Sequence, residues 1–392
     1  MTCERVYVSG LGAISAAGTN RHELWKTLEG PAPKPAPKPS VFETAIDAPV
    51  FEAALPAPPA PLTRTLEMAG RASGEALRQA GLEPRTSACS RTGVAVGTTV
   101  GCMFQDYPFY RAFREGNRPD PRAGIRYLER NPAEFLRKNL GFDGPALTVA
   151  TACSSGANAI GTGLEWIRSG RCERVLAGGV DELDRIPFTG FRSLRLLSDF
   201  PCRPFDRDRS GLNLGEGAGF LVLESRAALE KRGIRPELFL AGYATRTDAH
   251  HLTAPLPDGS RLERAIRLAL SQAGIRPEEI AYVNAHGTAT PDNDRVEGRV
   301  IEKVFGPGAV FGSTKGYTGH TLGAAGGLEA VIACLALSKA RCPGTPGFSN
   351  TDPEIGIAPL TRPRTLSGNY ALSTSLGFGG INAALVFGIE RH

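Results

Sequence analysis

A chain of 392 residues can bury a substantial core or two smaller ones. Its 41% hydrophobic and 22% charged content is that of an ordinary globular protein, and a net charge of +5 without a basic run gives no ground for nucleic-acid binding. The start lacks a basic segment followed by an apolar core, no apolar stretch approaches eighteen residues, and the eight cysteines lack close metal-ligand spacing, so a cytoplasmic chain with reduced thiols is expected.

In chain order, PAPKPAPKP at 31–39 reads as a stiff, charged surface loop. ALRQAGLEP at 76–84 is the end of a helix closed by Gly81, and Val94–Val96 form a short apolar strand before Gly97. The stretch from about Met103 to Leu140, rich in Arg, Pro and aromatics, has no clear period. Val149–Ala150–Thr151–Ala152 then leads into Cys153–Ser154–Ser155–Gly156. Ala157, Ile160, Leu164 and Ile167 recur at helical spacing behind it, Gly170 offers a stop, and RVLAGG at 174–179 reads as a buried strand. Cys153 should therefore stand on a strand-to-helix turn, where free amides and the helix dipole favour a thiolate and a backbone N–H can face an oxyanion. Cys3, Cys89, Cys102, Cys172, Cys202, Cys334 and Cys342 read as structural.

Further on, Leu262, Ala265, Ile266, Ala269, Leu270 and Ala273 make one apolar helical stripe ending at Gly274. Of only six histidines, two occupy patterned Gly-rich settings: His286 in NAHGTATPDND at 284–294 and His320 in STKGYTGHTLGAAGG at 313–327. A zinc site on these two with Cys153 is the rival use. It is disfavoured because a thiolate on zinc cannot also attack and no ligand pair is compactly spaced.

The chain also resembles itself. ALRQAGLEP at 76–84 echoes ALSQAGIRP at 269–277, TACSSG at 151–156 echoes TGHTLG at 318–323, and LGEGAGFLVL at 214–223 echoes LGFGGINAAL at 376–385, at offsets of 193, 167 and 162. The falling offset implies extra residues in the first copy, which the 103–140 stretch can supply. Alternating apolar and helical segments in each copy predict two α/β halves, 1–234 and 235–392, with Cys153 in the first and both histidines in the second. His320 then occupies the place in its copy that Cys153 holds in the other.

TACSSG, NAHGTATP, STKGYTGHTLGAAGG and LGFGG, in this order, resemble the elongating β-ketoacyl-acyl carrier protein synthases of fatty-acid and type II polyketide synthesis, over nearly the whole chain. The resemblance implies a duplicated thiolase-like fold and a decarboxylative Claisen condensation of an acyl group on Cys153 with malonyl-acyl carrier protein. It implies that His286 and His320 donate hydrogen bonds to the malonyl thioester, that Lys315 and Glu297 order the site, and that the Phe378 amide completes an oxyanion hole. Thr288 and Thr290 would line the phosphopantetheine arm, Met103 and Phe104 the acyl pocket, and Arg64, Arg71, Arg203, Arg207 and Arg209 would dock the acidic carrier.

No permanently bound cofactor and no metal are implied, since the substrates travel on phosphopantetheine. A homodimer is expected, with a heterodimer carrying a chain-length partner as the alternative. Two other readings share the fold. A coenzyme-A-dependent thiolase is disfavoured by the paired-histidine motifs, and a non-catalytic chain-length partner by retention of Cys153. Thr374–Ser375–Leu376 before the Gly-rich loop, and Asp292–Asn293–Asp294 after His286, depart from the commoner family pattern. They leave fatty-acid and specialised polyketide or polyene chains both open.

Overall fold

Short, β-branched and Gly-rich apolar segments become buried strands. In the computed structural model, which describes residues 5–59, 62–86, 91–101, 107–122 and 131–391, the first half supplies β1 (Val6–Ser15), β2 (Thr92–Gly97), β3 (Ala146–Val149), β4 (Arg174–Asp181) and β5 (Gly217–Ser225). The second supplies β6 (Leu238–Thr247), β7 (Ile280–Asn284), β8 (Phe311–Gly312), a small separate ribbon of β9 (Arg341–Cys342) and β10 (Arg364–Thr365), then β11 (Tyr370–Gly377) and β12 (Ile381–Ile389).

Ten of these strands run in the order β3-β2-β4-β5-β1-β6-β12-β11-β7-β8. If β6, β7, β8, β11 and β12 are the counterparts of β1 to β5, the second half repeats the first half's order in reverse. The halves meet where Val6 and Tyr7 pair with Leu240 and Phe239. Strand senses repeat too: β3, β2 and β4 are mutually parallel, as are β8, β7 and β11. β5 and β12 are each antiparallel to both neighbours. This palindrome is the physical form of the repeat in the sequence.

The echoes locate equivalent places without fixing register. β5 opens at Gly217 and β12 at Ile381, an offset of 164 rather than 162, because Leu376–Gly377 still belongs to β11. The additional residues of the first half fall between β2 and β3, where the helices Tyr107–Arg114 and Pro132–Leu140 lie.

Two central helices, Ser155–Arg168 and Ala325–Lys339, pack against each other and touch strands of both halves. Outside them, Arg64–Gln79 packs on β1 and β5, and Ser260–Ala273 on β6 and β12. The result is helix, sheet, helix, sheet, helix. The central helix is apolar all round, as its position demands. Its segment Leu322–Lys339, with mean hydropathy 1.4, reaches the eighteen residues that no stretch was expected to approach, but 89% of it is buried inside the protein. It reads as a core helix by that burial.

The central helices meet through glycine. A Cβ on Gly156 would lie 2.6 Å from the Gly327 nitrogen, and one on Gly326 would lie 2.5 Å from the Ala157 nitrogen. Only hydrogen at these positions lets the two helix starts approach so closely. One start carries Cys153 and the other His320.

Candidate active site

The turn before the first central helix is pinned by its own hydroxyls. Thr151 donates its N–H to Ser155 Oγ at 2.8 Å, while Ser154 Oγ donates to the Thr151 carbonyl at 2.8 Å. Ser155 Oγ donates in turn to the Ala152 carbonyl at 2.6 Å. Ala152 is held at φ 51, in the left-handed region, so Cys153 is carried on a strained elbow. Cys153 is buried, and its own N–H and that of Phe378 are directed at Sγ.

His320 is positioned by the opposite half. Its N–H donates to the Asn213 carbonyl at 2.8 Å and its carbonyl accepts from Gly215 N–H at 3.0 Å. A Cβ on Gly215 would lie 2.1 Å from the Thr318 carbonyl oxygen, so this close pairing depends on glycine. His320 Nε2 thereby comes to 3.0 Å from Cys153 Sγ. The His286 ring stands edge-on to it with centroids 5.1 Å apart.

His286 ends its strand on a loop shaped by Glu297, whose carboxylate accepts the N–H groups of His286 and Gly287, each at 2.8 Å, and the Thr374 hydroxyl at 2.6 Å. Lys315 Nζ lies 3.2 Å from His286 Nδ1, donates to the His286 carbonyl at 2.5 Å, and pairs with buried Glu329. An ammonium can only donate, so Nδ1 must accept and the ring proton sits on Nε2. Thus Lys315 sets the tautomer of His286.

Electrostatics give the groups distinct states. Burial pushes the Cys153 thiol up to about 11, with the Lys315 cation and the Phe378 N–H pulling the other way. The thiolate expected from the helix start is therefore not the resting form. Burial, then the Lys315 cation, hold both His286 and His320 well below the usual histidine range, so both are neutral. The arrangement offers a thiol beside a proton acceptor, two neutral imidazoles and two amides aimed at one point. That set can transfer an acyl group to sulfur and stabilise a developing oxyanion.

A cavity of about 330 Å³ leads to this point, lined by Cys153, His286 and His320 together with Thr288, Thr290 and Phe378. Thr288 and Thr290 share a hydrogen bond of 2.8 Å, and the Phe378 ring stacks on Phe191 at 5.2 Å. The donor atoms of Cys153, His286 and His320 all lie within 4.8 Å of one another, tighter than their sequence spacing suggested and compact enough for a soft metal. The Lys315 cation, bonded to one of the three, opposes a dication there.

The first family model that matches the chain, the β-ketoacyl synthase N-terminal domain, covers residues 3–228, and the C-terminal domain covers 239–349. The chain belongs to the β-ketoacyl synthase family. It is 34% identical to 3-oxoacyl-[acyl-carrier-protein] synthase 2 of Synechocystis, over 98% of each chain. It is 37% identical to the mitochondrial 3-oxoacyl-[acyl-carrier-protein] synthase of Arabidopsis thaliana, over 81% of this chain and 72% of the other. Among solved structures it resembles the ketosynthase ApeO, in complex with its chain length factor ApeC, from Xenorhabdus doucetiae. There the TM-score is 0.87 and the identity 32%, over 99% of this chain and 98% of that one. The ishigamide ketosynthase/chain length factor matches with TM-score 0.90 and 32% identity, over 99% and 100%. As a β-ketoacyl synthase the chain has the thiolase-like duplicated fold. It is a carbon–carbon bond-forming acyltransferase that condenses a cysteine-bound acyl group with a malonyl thioester in fatty-acid or polyketide synthesis.

Around one cavity the fold gathers Cys153, His286, His320, Phe378, Thr288 and Thr290, with Lys315 and Glu297 directly behind them. Met103 and Phe104 lie outside the described residues. Two of the five docking arginines are otherwise engaged. Arg64 is held by buried Glu216 and the Ala53 carbonyl, and Arg209 is buried against Asp352 at 2.5 Å and the Pro291 carbonyl at 2.8 Å. Both thus make ties inside the protein. Arg71, Arg203 and Arg207 are exposed, Arg71 beside Glu67 and Arg207 beside Asp208.

Sequence reasoning missed Asp181 and Glu329. At the end of β4, Asp181 accepts from Thr98 Oγ1 at 2.5 Å and from the N–H groups of Thr99, Val100 and Gly323. It thus joins the segment after β2 to the turn after His320. Its one sequence signal is a carboxylate closing an otherwise apolar strand, RVLAGGVD. Glu329 is the corresponding anomaly in an apolar helix.

Proposed function

We propose that Cys153 accepts the acyl chain from an acyl carrier protein thioester, its proton passing through His320 to the carrier sulfur, which leaves as the thiol. His286 and His320 then donate hydrogen bonds to the carbonyl oxygen of malonyl-carrier protein. Its terminal carbon–carbon bond breaks, carbon dioxide leaves, and the enolate carbon attacks the acyl-Cys153 carbonyl. The tetrahedral oxyanion is met by the Cys153 and Phe378 amides, and its collapse expels the Cys153 sulfur with the β-ketoacyl product on the carrier. The observation that carries this reading is the 3.0 Å approach of Cys153 Sγ to His320 Nε2, with His286 beside it and Lys315 holding the His286 tautomer.

The parts fall into an acyl-holding half, 1–234, and a malonyl-handling half, 235–392. Exposed Arg71, Arg203 and Arg207 suit an acidic carrier. A dimer, with a chain-length partner as the second subunit, is favoured by the two ketosynthase/chain length factor neighbours at 32% identity. The half-exposed edge strand β3, with Leu147 43% exposed, can continue the sheet across such an interface. We place the enzyme in the cytoplasm, where malonyl thioesters and reduced thiols coexist.

The test is intact-mass detection of acyl-Cys153 and product analysis with malonyl-carrier protein, with the partner present. Cys153→Ala should abolish acylation and condensation while sparing malonyl decarboxylation. His286→Ala should cut decarboxylation by about a hundredfold or more, the size of losing one oxyanion donor, with acyl-Cys153 still forming. Absence of acyl-Cys153 across short and long acyl carriers would sink the proposal.

A further inference from the structure

The two amides that face the Cys153 sulfur belong to different halves of the protein, Cys153 to the first and Phe378 to the second. Neither the elbow nor the loop can by itself set the distance between them. Hydrogen bonds across the seam can, and Tyr243 on β6 stands in the middle of them.

Tyr243 reaches the elbow through Asn158. Its hydroxyl donates to Asn158 Oδ1 at 3.0 Å, and Asn158 Nδ2 donates to Thr151 Oγ1 at 2.8 Å and to Ser154 Oγ at 3.3 Å. Ser154 Oγ gives its own proton to the Thr151 carbonyl, so the atom facing it must be a donor, which leaves Oδ1 for the phenol. Burial pushes the Tyr243 phenol up to about 12, with the neighbouring Thr245 hydroxyl pulling the other way, so the phenol keeps the proton it donates. Glycine lets the ring in: a Cβ on Gly161 would lie 2.3 Å from its Cε1 and Cζ. Thr151 and Ser154, which Asn158 holds, bracket the left-handed Ala152 and Cys153.

The Phe378 loop is reached along the strand. Thr245, two residues further on and on the same face of β6, stands beside the Tyr243 hydroxyl and donates to the Asn382 carbonyl at 3.0 Å. Asn382 Nδ2 donates to Asp248 at 2.6 Å, and the Asp248 N–H donates to the Gly380 carbonyl at 2.8 Å. The loop also begins against the elbow, since a Cβ on Gly377 would lie 2.8 Å from the Thr151 carbonyl oxygen.

We infer that Tyr243 sets the spacing of the Cys153 and Phe378 amides, through Asn158 on one side and Thr245 on the other. It is a positioning residue for the oxyanion of acyl transfer, an inference that rests on the reading of Cys153 as the acyl acceptor given above.

Tyr243→Phe keeps the ring on Gly161 and removes the hydroxyl alone. Acylation of Cys153 by p-nitrophenyl hexanoate, followed by nitrophenolate release and intact mass, passes through a tetrahedral oxyanion and needs no carrier. Its maximal rate should fall about five- to tenfold in Tyr243→Phe, the scale of one net hydrogen bond, with the half-saturating ester concentration unchanged. Alkylation of Cys153 by iodoacetamide should keep its wild-type rate, because the sulfur displaces iodide and no oxyanion forms. Asn158→Ala and the near-isosteric Thr245→Val should each slow acylation to a similar degree, and adding Tyr243→Phe to either should slow it no further. Equal slowing of alkylation and acylation would overturn the inference, since the hydroxyl would then serve the sulfur and not the amides. So would an unchanged acylation rate in Tyr243→Phe, or effects that multiply in the double variants. Wild-type acylation by the ester with none from acyl carrier thioesters would count against the catalytic reading and leave the Tyr243 comparison standing.

Discussion

Burial decides the resting state of Cys153. The helix start, the Phe378 amide and the Lys315 cation all favour a thiolate, yet desolvation outweighs them and pushes the thiol up to about 11. The thiol therefore needs His320, neutral and 3.0 Å away, to take its proton as it attacks. Alkylation by iodoacetamide, followed by mass, should rise through pH 9 toward about pH 11 with no plateau near neutrality. Lys315→Met should slow it further at any one pH, because a charge favouring the thiolate is gone. A plateau below pH 7 would show a resting thiolate instead. Cys153, His286 and His320 were legible in the sequence because each interrupts a Gly-rich junction between strand and helix. The ionisation was not, since a dipole argument carries no burial. The internal ties of Arg64 and Arg209 were not legible for a related reason: a resemblance in docking regions does not tell which arginine will meet a buried carboxylate such as Glu216.

At the scale of elements, the site exists because two helix starts from different halves approach within glycine distance. The repeated motifs announced that Cys153 and His320 are counterparts. They were silent on the contact of Gly156 with Gly327, which joins positions far apart in the chain and leaves no local pattern. Gly156→Ala places a methyl 2.6 Å from the Gly327 nitrogen and 2.8 Å from the Gly323 carbonyl oxygen, backbone atoms that cannot swing aside. The helices must then part, at a cost of about 1–3 kcal/mol, and the Cys153–His320 approach must lengthen. We expect a lower urea midpoint and a condensation rate reduced by roughly ten- to a hundredfold. Gly70→Ala is the matched control. It lies in the helix Arg64–Gln79 with nothing within 4 Å of its Cβ, and should stabilise by about 0.5–1 kcal/mol without touching activity. Equal effects of the two substitutions would show that the helix crossing does not set the site.

For the molecule as a whole, the two-fold arrangement creates an interior that is large enough to hold ionisable groups far from water. The duplication made the paired α/β halves legible; the charges trapped between their layers were not, because burial of a carboxyl is a product of the assembled fold. Burial raises Asp181 to about 6, Glu329 to about 7 and Glu182 to about 8. Each therefore keeps its proton in the folded chain at a pH where the unfolded chain has released it. The folded state binds more protons across that window, so these groups make stability fall as pH rises from about 4.5 to 8. Glu182 spans the widest part. It accepts the Thr65 N–H at 3.1 Å, a bond that the amide oxygen of glutamine can keep. Glu182→Gln should leave stability at pH 4.5 nearly unchanged, flatten its decline above that, and make the variant more stable at pH 8 by roughly 1–4 kcal/mol. Urea unfolding of both proteins at several pH values reads the difference, with contributions from groups remote from Glu182 cancelling. Parallel stability curves would mean that Glu182 ionises at its ordinary pH inside the fold, and that its site is better hydrated than its burial indicates.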